Sequence, residues 1–431
     1  MTTIRDAIKT VTADKKVTAD EWKNVLKPAA DKAPKEASAD AREIAKLWAS
    51  DAFEVDSTAR RGMRDFLSSR GYEVPAAKPA GAKPAELEQA IISSNVTEAD
   101  AAFQSLAAAA GRDKAEQTIA VLDSGFDINH EGLDTKLWTN PGEIAGDDKD
   151  NDGNGKVDDI HGWDFSTNDA DVNSSESQGH ATHVTGIATG GTDNVNSISL
   201  RVFSPFDSKK VAEAIDYAAA NGARVMNMSF RVGTEADVKA ITDAMKRHPE
   251  VLFVKSAGND GRDIDTYDAD AYLPFRELPN MAVVSAADPN GQKADYSNYG
   301  APYATHATRG TDVVSSVPGG GYQPMSGTSM AAPGMTNVAA KMLILDPGLK
   351  PTDLKQMLAQ TTDRSDAWKD ATASGGLINA QRAYELAALT GLMRNGVPAD
   401  AAAAQLKLST ASKDALLPLA QEYVKPAVAG R

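Results

Sequence analysis

Short apolar runs alternate with longer amphipathic stretches through the middle of this chain. Thr118-Ile-Ala-Val-Leu122, Ser197 to Phe203, Ala223 to Met228, Val251 to Ser256 and Met281 to Ser285 are brief and β-branched or bulky, and they read as strands. Lys210 to Ala220, Glu235 to Lys246 and Thr328 to Leu345 carry apolar residues at helical spacing and read as helices. Alternation of this kind predicts an α/β fold with a mainly parallel sheet and helices on both faces. In such folds the chemistry collects at the carboxyl ends of the strands.

The two ends of the chain follow a different pattern. Ile4, Ala7, Ile8 and Val11, then Trp22, Val25 and Leu26, then Ala45, Leu47 and Trp48, then Met63, Phe66 and Leu67 recur at helical spacing. Residues 1–73 therefore read as a small all-α module. Val74-Pro-Ala-Ala-Lys-Pro-Ala-Gly-Ala-Lys-Pro-Ala is too rich in proline for a helix interior, so 74–86 reads as a semi-extended linker. The α/β domain then runs over 87–388. An Ala- and Leu-rich helical extension follows over 389–431, with Pro398, Pro418 and Pro426 as breaks.

Composition narrows the function. The 431 residues are 42% apolar and 24% charged, as in ordinary globular domains and unlike fibrous or disordered chains. With no cysteine there is no thiol nucleophile, no disulfide framework and no zinc–thiolate site. Sixty acids against 45 bases leave a net charge of −15, which repels nucleic-acid backbones. Residues 1–73 hold 14 bases and 13 acids, so nearly all the excess acid lies beyond them. No apolar stretch approaches the roughly 18 residues of a membrane span. The N-terminus has no apolar signal core, so the chain is expected in the cytoplasm, or exported by a route without a recognisable leader.

Four polar motifs stand at strand ends or helix starts. Asp123 follows Ile119-Ala-Val-Leu122; alone it reads equally well as a turn cap. Gln178-Gly-His180-Ala-Thr-His183 opens a helix, with its two histidines spaced unlike the usual zinc-protease pair. Lys255-Ser-Ala-Gly-Asn259 presents an amide at a strand end. Met325-Ser-Gly-Thr-Ser329-Met-Ala-Ala-Pro333 sets a serine among small residues at a helix start, where N–H groups and the helix dipole favour negative charge. Together they make the set that acyl transfer needs: nucleophile, base, orienting carboxylate and oxyanion donor.

At this point the chain resembles the subtilisin-like serine proteases, the subtilases. Ala120-Val-Leu-Asp123-Ser-Gly125, His180-Ala-Thr-His183-Val-Thr-Gly186 and Gly327-Thr-Ser329-Met-Ala-Ala-Pro333 carry the match, in a chain order known for subtilisins. The resemblance covers roughly 112–388 and implies a serine endopeptidase acting on proteins or peptides. It makes Ser329 the nucleophile, His180 the base and Asp123 its orienter. Asn259 becomes the oxyanion donor, and Ser229, Phe230, Arg231, Ala257 and Gly258 the substrate-binding residues. It also implies that His183 is a buried structural partner. Ala181, Thr185, Arg231, Val232 and Gly334 depart from the usual family residues, and Arg231 and Val232 alter the wall that meets the side chain before the scissile bond. The other reading is a calcium-dependent binding or scaffold protein on an inactive subtilase fold.

The loop Asp148-Lys-Asp150-Asn-Asp152-Gly-Asn154-Gly-Lys-Val-Asp-Asp159 has the spacing of a calcium loop, with carboxylates at positions 1, 3, 5 and 12 and glycine at 6. Asp148, Asp150, Asp152, Asn154 and Asp159 are the expected ligands of a structural Ca2+; the chemistry itself needs no cofactor. Asp263, Asp265, Asp268 and Asp270 form a second acidic run that reads first as solvated surface, with another cation site or an attractor of basic substrates as the alternatives. Thr10 to Glu21 resembles part of a calcium loop but lacks most ligands, so it reads as a helix–helix connection. The near-neutral module 1–73, set behind an open linker, is expected to restrain the protease by covering or propping its cleft, in the manner of a zymogen; the alternative is a docking module that never leaves.

Overall fold

The structure is a computed structural model. It describes residues 16–27, 44, 47, 48, 54, 55, 59, 60, 63, 64 and 67, and then 96–424 except 131, 174–178, 204, 205, 267–273 and 320. The linker 74–86, Asp268 and Asp270 lie outside the described residues. The chain divides into two compact units, residues 1–101 with 320–322, and 102–319 with 323–431.

Among the described residues of the first unit, Trp22, Leu26, Leu47, Trp48, Met63 and Leu67 are buried and Val25 is half-buried, while Ile4, Ala7, Ile8, Val11, Ala45 and Phe66 lie outside the described residues. Two short strands stand beside the helical residues, Lys16–Val17 pairing in parallel with Glu54–Val55. Thr18 and Glu21 cap the following helical stretch. The Thr18 N–H and hydroxyl donate to Glu21 Oε2, each at 2.9 Å, and the Glu21 N–H donates back to Thr18 Oγ1 at 3.3 Å. The carboxylate that would close a calcium loop at Glu21 is thus engaged as a cap, in keeping with a plain helix connection.

The second unit is the expected α/β sandwich. The strands from residue 117 on are β1 Gln117–Asp123, β2 Gly162–Asp164, β3 Val195–Arg201, β4 Val225–Met228, β5 Leu252–Ser256, β6 Met281–Ala287, β7 His306–Arg309, β8 Val313–Val317, β9 Gly321–Met325, β10 Asp363–Arg364 and β11 Gly376–Leu377, and all but the first two residues of β9 belong to the second unit. Among the described residues nine of them form one sheet in the order β10-β11-β7-β6-β5-β4-β1-β3-β2. Every pairing in it is parallel except β10 with β11. β4, β5 and β6 are buried along their whole length, as parallel strands covered on both faces must be. The five strands expected from the apolar runs are β1, β3, β4, β5 and β6. The short β2, β7, β10 and β11 lack a run long enough to show in the pattern.

The helices are α1 Val96–Ala109, α2 His180–Thr189, α3 Ser208–Ala220, α4 Glu235–Arg247, α5 Thr328–Leu345, α6 Pro351–Gln360, α7 Ala380–Arg394, α8 Ala399–Gln405 and α9 Thr410–Val424. Met226 and Met228 of β4 share a core with Ile215 of α3 and Ile241 of α4. Asn227 between them points the other way and accepts from Thr336 of α5 at 3.3 Å. The two helical layers therefore lie on opposite faces. The α5 helix is buried nearly all round, which its uniformly small and apolar sequence permits.

Two boundaries differ from the sequence expectation. Residue 388 falls inside α7, a continuous helix packed on α5, so 389 is not the start of a separate extension. Pro418 lies inside α9 without ending it. The carbonyl it leaves without a donor belongs to Asp414, which is exposed and open to water.

Candidate active site

Asp123 is the last residue of β1 and is buried. Its Oδ1 accepts the Ser124 N–H at 2.8 Å and meets His180 Nδ1 at 3.0 Å. A carboxylate facing Nδ1 holds the ring proton there and leaves a lone pair on Nε2. His180 opens α2 because Gly179 turns the chain at φ +60°. A Cβ on Gly179 would lie 2.2 Å from Pro318 Cδ, so only glycine fits. The side chain of His180 stays about one-third exposed, at 34%. His183 is fully buried, and its Nε2 meets the Gln323 carbonyl at 2.9 Å. Burial lowers its pKa to about 4 and keeps it neutral.

Ser329 is the second residue of the 18-residue α5. Its N–H is one of the first four of the helix, which have no intrahelical partner. Its carbonyl has lost its usual donor as well, because Pro333 four residues on carries no N–H. The Ser229 hydroxyl fills that vacancy, donating to Ser329 O at 2.9 Å, and itself accepts from Asn227 Nδ2 at 2.9 Å. Ser329 Oγ donates to Ser229 O at 3.3 Å.

Asn259 reaches the same turn from the end of β5. The Thr328 N–H donates to it at 2.8 Å, so the receiving atom is its oxygen; the Thr328 hydroxyl joins at 2.9 Å. That assigns the other face of the amide. Its nitrogen is turned toward Gly327, 3.4 Å from where a Cβ would stand. A donor amide and the Ser329 N–H thus flank one small region beside the serine.

Ser229-Phe230-Arg231 follows β4 and Ala257-Gly258-Asn259-Asp260 follows β5; Ser229 O accepts from Ser329 Oγ, and the Gly258 N–H donates to Thr328 Oγ1 at 3.0 Å. Two cations join the two segments. Lys255, buried in β5, donates to Phe230 O at 2.9 Å and to Ser256 O at 3.2 Å. Burial, with a smaller contribution from the charge of Arg231, pushes its pKa down to about 8. Nearer the surface, Arg231 pairs with Asp260. The structure thus brings Asp123 and His180 into contact, sets Asn259 against the Thr328–Ser329 turn, and places Ser229, Phe230 and Arg231 after β4 and Ala257 and Gly258 after the adjacent β5. Lys255 escaped the sequence reading, although a lysine ending an otherwise apolar strand was its visible signal.

The sequence comparison decides the family. Residues 114–383 match the model of the subtilase family. The chain belongs to the subtilase family. Among curated subtilase relatives, the thermophilic serine proteinase of Bacillus sp. (strain AK1) is 32% identical over 263 residues, covering 58% of this chain and 57% of the relative. Halolysin of Haloferax mediterranei is 34% identical over 256 residues, covering 56% and 44%. Subtilisin-like protease 1 of Plasmodium falciparum is 28% identical over 301 residues, covering 62% and 43%. The chain spans about half the length of these relatives. The subtilase fold is also seen in two solved structures. The epidermin leader peptide processing serine protease of Staphylococcus aureus superposes with a TM-score of 0.51 at 19% identity, covering 67% of this chain and 81% of the other. The subtilase cytotoxin assembly gives 0.53 at 18%, covering 68% and 96%.

The acidic loop of this subtilase is closed differently from its sequence spacing. Glu143, Asp150 and Asp152 bring one carboxylate oxygen each to within 4.8 Å of one another. Glu143 stands before the loop and has no place in the twelve-residue pattern. It accepts the N–H groups of Asn151 and Asp152 on Oε1 and of Asp158 on Oε2. Asp148 and Asp159 stand outside that group of three. Asp159 is buried and already bonded by Tyr217 Oη at 2.6 Å and by Asn140 and Asn154 at 2.9 Å. Asn154 aims its nitrogen, not its oxygen, at Asp152 and Asp159. Lys156 anchors the loop from beneath, its ammonium 5.2–5.7 Å from the ring centres of Trp163, Phe165 and Tyr217.

Proposed function

We propose that this subtilase is a serine endopeptidase and that Asp123, His180, Ser329 and Asn259 carry its chemistry. Two observations carry the reading: the Asp123–His180 hydrogen bond, and a serine at a helix N-terminus whose neighbouring Asn259 amide accepts the Thr328 N–H on its oxygen. The relatives, named as serine proteinases and subtilisin-like proteases, support it. In this reading Ser329 Oγ turns from Ser229 O toward His180 Nε2, which takes its proton as the oxygen attacks a peptide carbonyl. The tetrahedral oxyanion receives the Asn259 amide and the Ser329 N–H. His180 passes the proton to the leaving amine, and water then hydrolyses the acyl-enzyme with His180 again as base. Asp123 keeps the imidazole in the right tautomer throughout. Incubating the purified chain with casein and identifying all products by mass spectrometry tests this. Defined casein fragments are expected; intact casein under conditions where the chain is folded contradicts it.

We further propose that the acidic loop holds a structural Ca2+. Three carboxylate oxygens within 4.8 Å of one another repel unless a cation lies among them. Backbone N–H groups relieve part of this: that of Gly155 foremost, with those of Gly153 and Asn154, keeps the Asp150 carboxyl below its usual range. Glu143, Asp150 and Asp152 are the oxygen ligands this geometry offers. Calcium bound only to the folded state stabilises it by about 2.7 kcal/mol at a hundredfold excess over Kd. A chelator should therefore lower Tm, and the double change Asp150→Ala with Asp152→Ala should erase that response. A chelator effect of unchanged size in the double variant contradicts the assignment.

Residues 1–73 are proposed to restrain the protease until the linker 74–86 is cut. With a recognition sequence for a second protease placed in that linker, cutting should raise casein hydrolysis several-fold. Activity unchanged by complete cutting contradicts it.

A further inference from the structure

His180 and Ser329 stand in the first turns of two helices, α2 and α5. His180 meets Asp123, the last residue of β1, and Ser329 follows Thr328, whose N–H donates to Asn259 just past β5. From there both helices run back against the direction of the strands. Thr336 of α5 comes level with Asn227 inside β4, and α2 ends at Gly190, which leads into the start of β3. The two helices therefore run parallel to each other. Proton transfer requires His180 Nε2 within hydrogen-bond reach of Ser329 Oγ, about 2.6–3.2 Å. The helices must be held in register for that.

At their far ends one buried side chain joins them. Asn337 of α5 donates from Nδ2 to Ala188 O at 3.1 Å and to Gly190 O at 2.9 Å. Both carbonyls lie at the end of α2, where the helix itself supplies no donor. The two N–H groups of one planar amide, spread over two carbonyls, fix the depth of α2 as well as its rotation. Lys341, one turn further along α5 and fully buried, donates to Gly190 O at 2.9 Å. Asn337 is eight residues beyond Ser329, and Ala188 is eight beyond His180. With the same rise per residue in both helices, a bond between these two positions sets His180 and Ser329 at one level. An amide inside a helix buried nearly all round is costly unless it is bonded, and here its N–H groups serve the neighbouring helix.

The first turn of α2 is held separately, by β8. Ser315 Oγ donates to His183 O at 2.8 Å and Ser316 Oγ to Thr182 O at 3.1 Å. Gly186 admits this approach, since a Cβ there would lie 2.3 Å from both hydroxyls. These bonds anchor α2 to β8, whereas the Asn337 bonds tie it to the helix that carries Ser329.

We propose that Asn337 is a positioning residue, which sets the register of α2 on α5 and with it the approach of His180 to Ser329. The inference rests on the endopeptidase reading and adds a residue to it.

The test uses the full-length chain and a fluorogenic peptide copied from a site it cuts in casein. Asn337→Leu removes both donors at nearly constant volume. Its kcat should fall by about a hundredfold, the cost of a misplacement of about 1 Å, while KM hardly changes. Fluorophosphonate labelling of Ser329, which needs no bound peptide, should slow in parallel. The acid limb of kcat/KM against pH should stay in place, because Asp123 still holds the imidazole. Asn337→Ser keeps the site polar with a single donor, so a folded variant is at hand even where leucine is not accepted; it should show a smaller loss of the same kind. A folded variant with lowered Tm but unchanged kcat and labelling rate overturns the proposal. So does a loss expressed in KM, or a shifted acid limb. If the unaltered chain neither cleaves casein nor takes the label, the endopeptidase reading itself fails; full activity in a folded variant sinks only the role of Asn337.

Discussion

Ser329→Ala removes peptidase activity while the protein folds as before. Its rate should fall by about a million-fold, the magnitude known for loss of the nucleophile in a subtilisin. The fold has little stake in the hydroxyl. Ser329 Oγ makes one long bond, 3.3 Å to Ser229 O, whereas the structural link runs from the Ser229 hydroxyl to the Ser329 carbonyl and survives in alanine. Loss of one such hydrogen bond costs about 1 kcal/mol of stability. Near-normal turnover in the purified variant would remove Ser329 from the chemistry. Comparing casein hydrolysis with thermal unfolding of the same sample separates lost chemistry from lost fold.

The two histidines of α2 should behave in opposite ways. His180→Ala removes the base and should lower kcat by several orders of magnitude with little change in Tm, because the ring is partly exposed. His183→Ala should leave the activity of each folded molecule largely intact and destabilise the fold. It empties a fully buried site and leaves the Gln323 carbonyl without its donor, a loss of about 2–3 kcal/mol. The pH response adds a second signature. The pKa of His183 is depressed in the folded state, from the ordinary 6.5 to about 4. Below pH 6.5 the unfolded chain takes up a proton that the folded chain refuses. The contribution of His183 is therefore complete above pH 6.5 and lost as pH falls toward 4. His306, also buried and lowered to about 4, acts in the same window and sense. In His183→Phe that acid sensitivity should shrink. A folded but inactive His183 variant beside an active His180 variant would reverse the assignment.

What could be read from the residues alone depended on the kind of signal. β1, β3, β4, β5 and β6 are long buried parallel strands, and their apolar runs announce them. β2, β7, β10 and β11 are two to four residues long and owe their place to the strands beside them, so no local pattern marks them. Asp123, His180, Asn259 and Ser329 stand in motifs at strand ends and helix starts, and for His180 and Asn259 the preceding glycine is required by the turn. Gly179, for instance, precedes His180 where a side chain would strike Pro318. Glu143 gives no such signal: it joins Asp150 and Asp152 through the folding of the loop back on itself. The Ser229–Ser329 link was equally hidden, since it answers a carbonyl freed by Pro333 a hundred residues away in sequence from Ser229. Pro418 misled in the other direction, because an exposed helix can carry a proline when water takes the unpaired carbonyl.

A fluorophosphonate probe gives the most direct test of the central claim, because it reacts only with a serine made nucleophilic by a working base and oxyanion site. The folded full-length chain is treated with the probe, digested and mapped by mass spectrometry. A single adduct on Ser329, absent after denaturation and absent in His180→Ala, is the predicted result. A folded chain that takes no label, or takes it on another residue, would contradict the account.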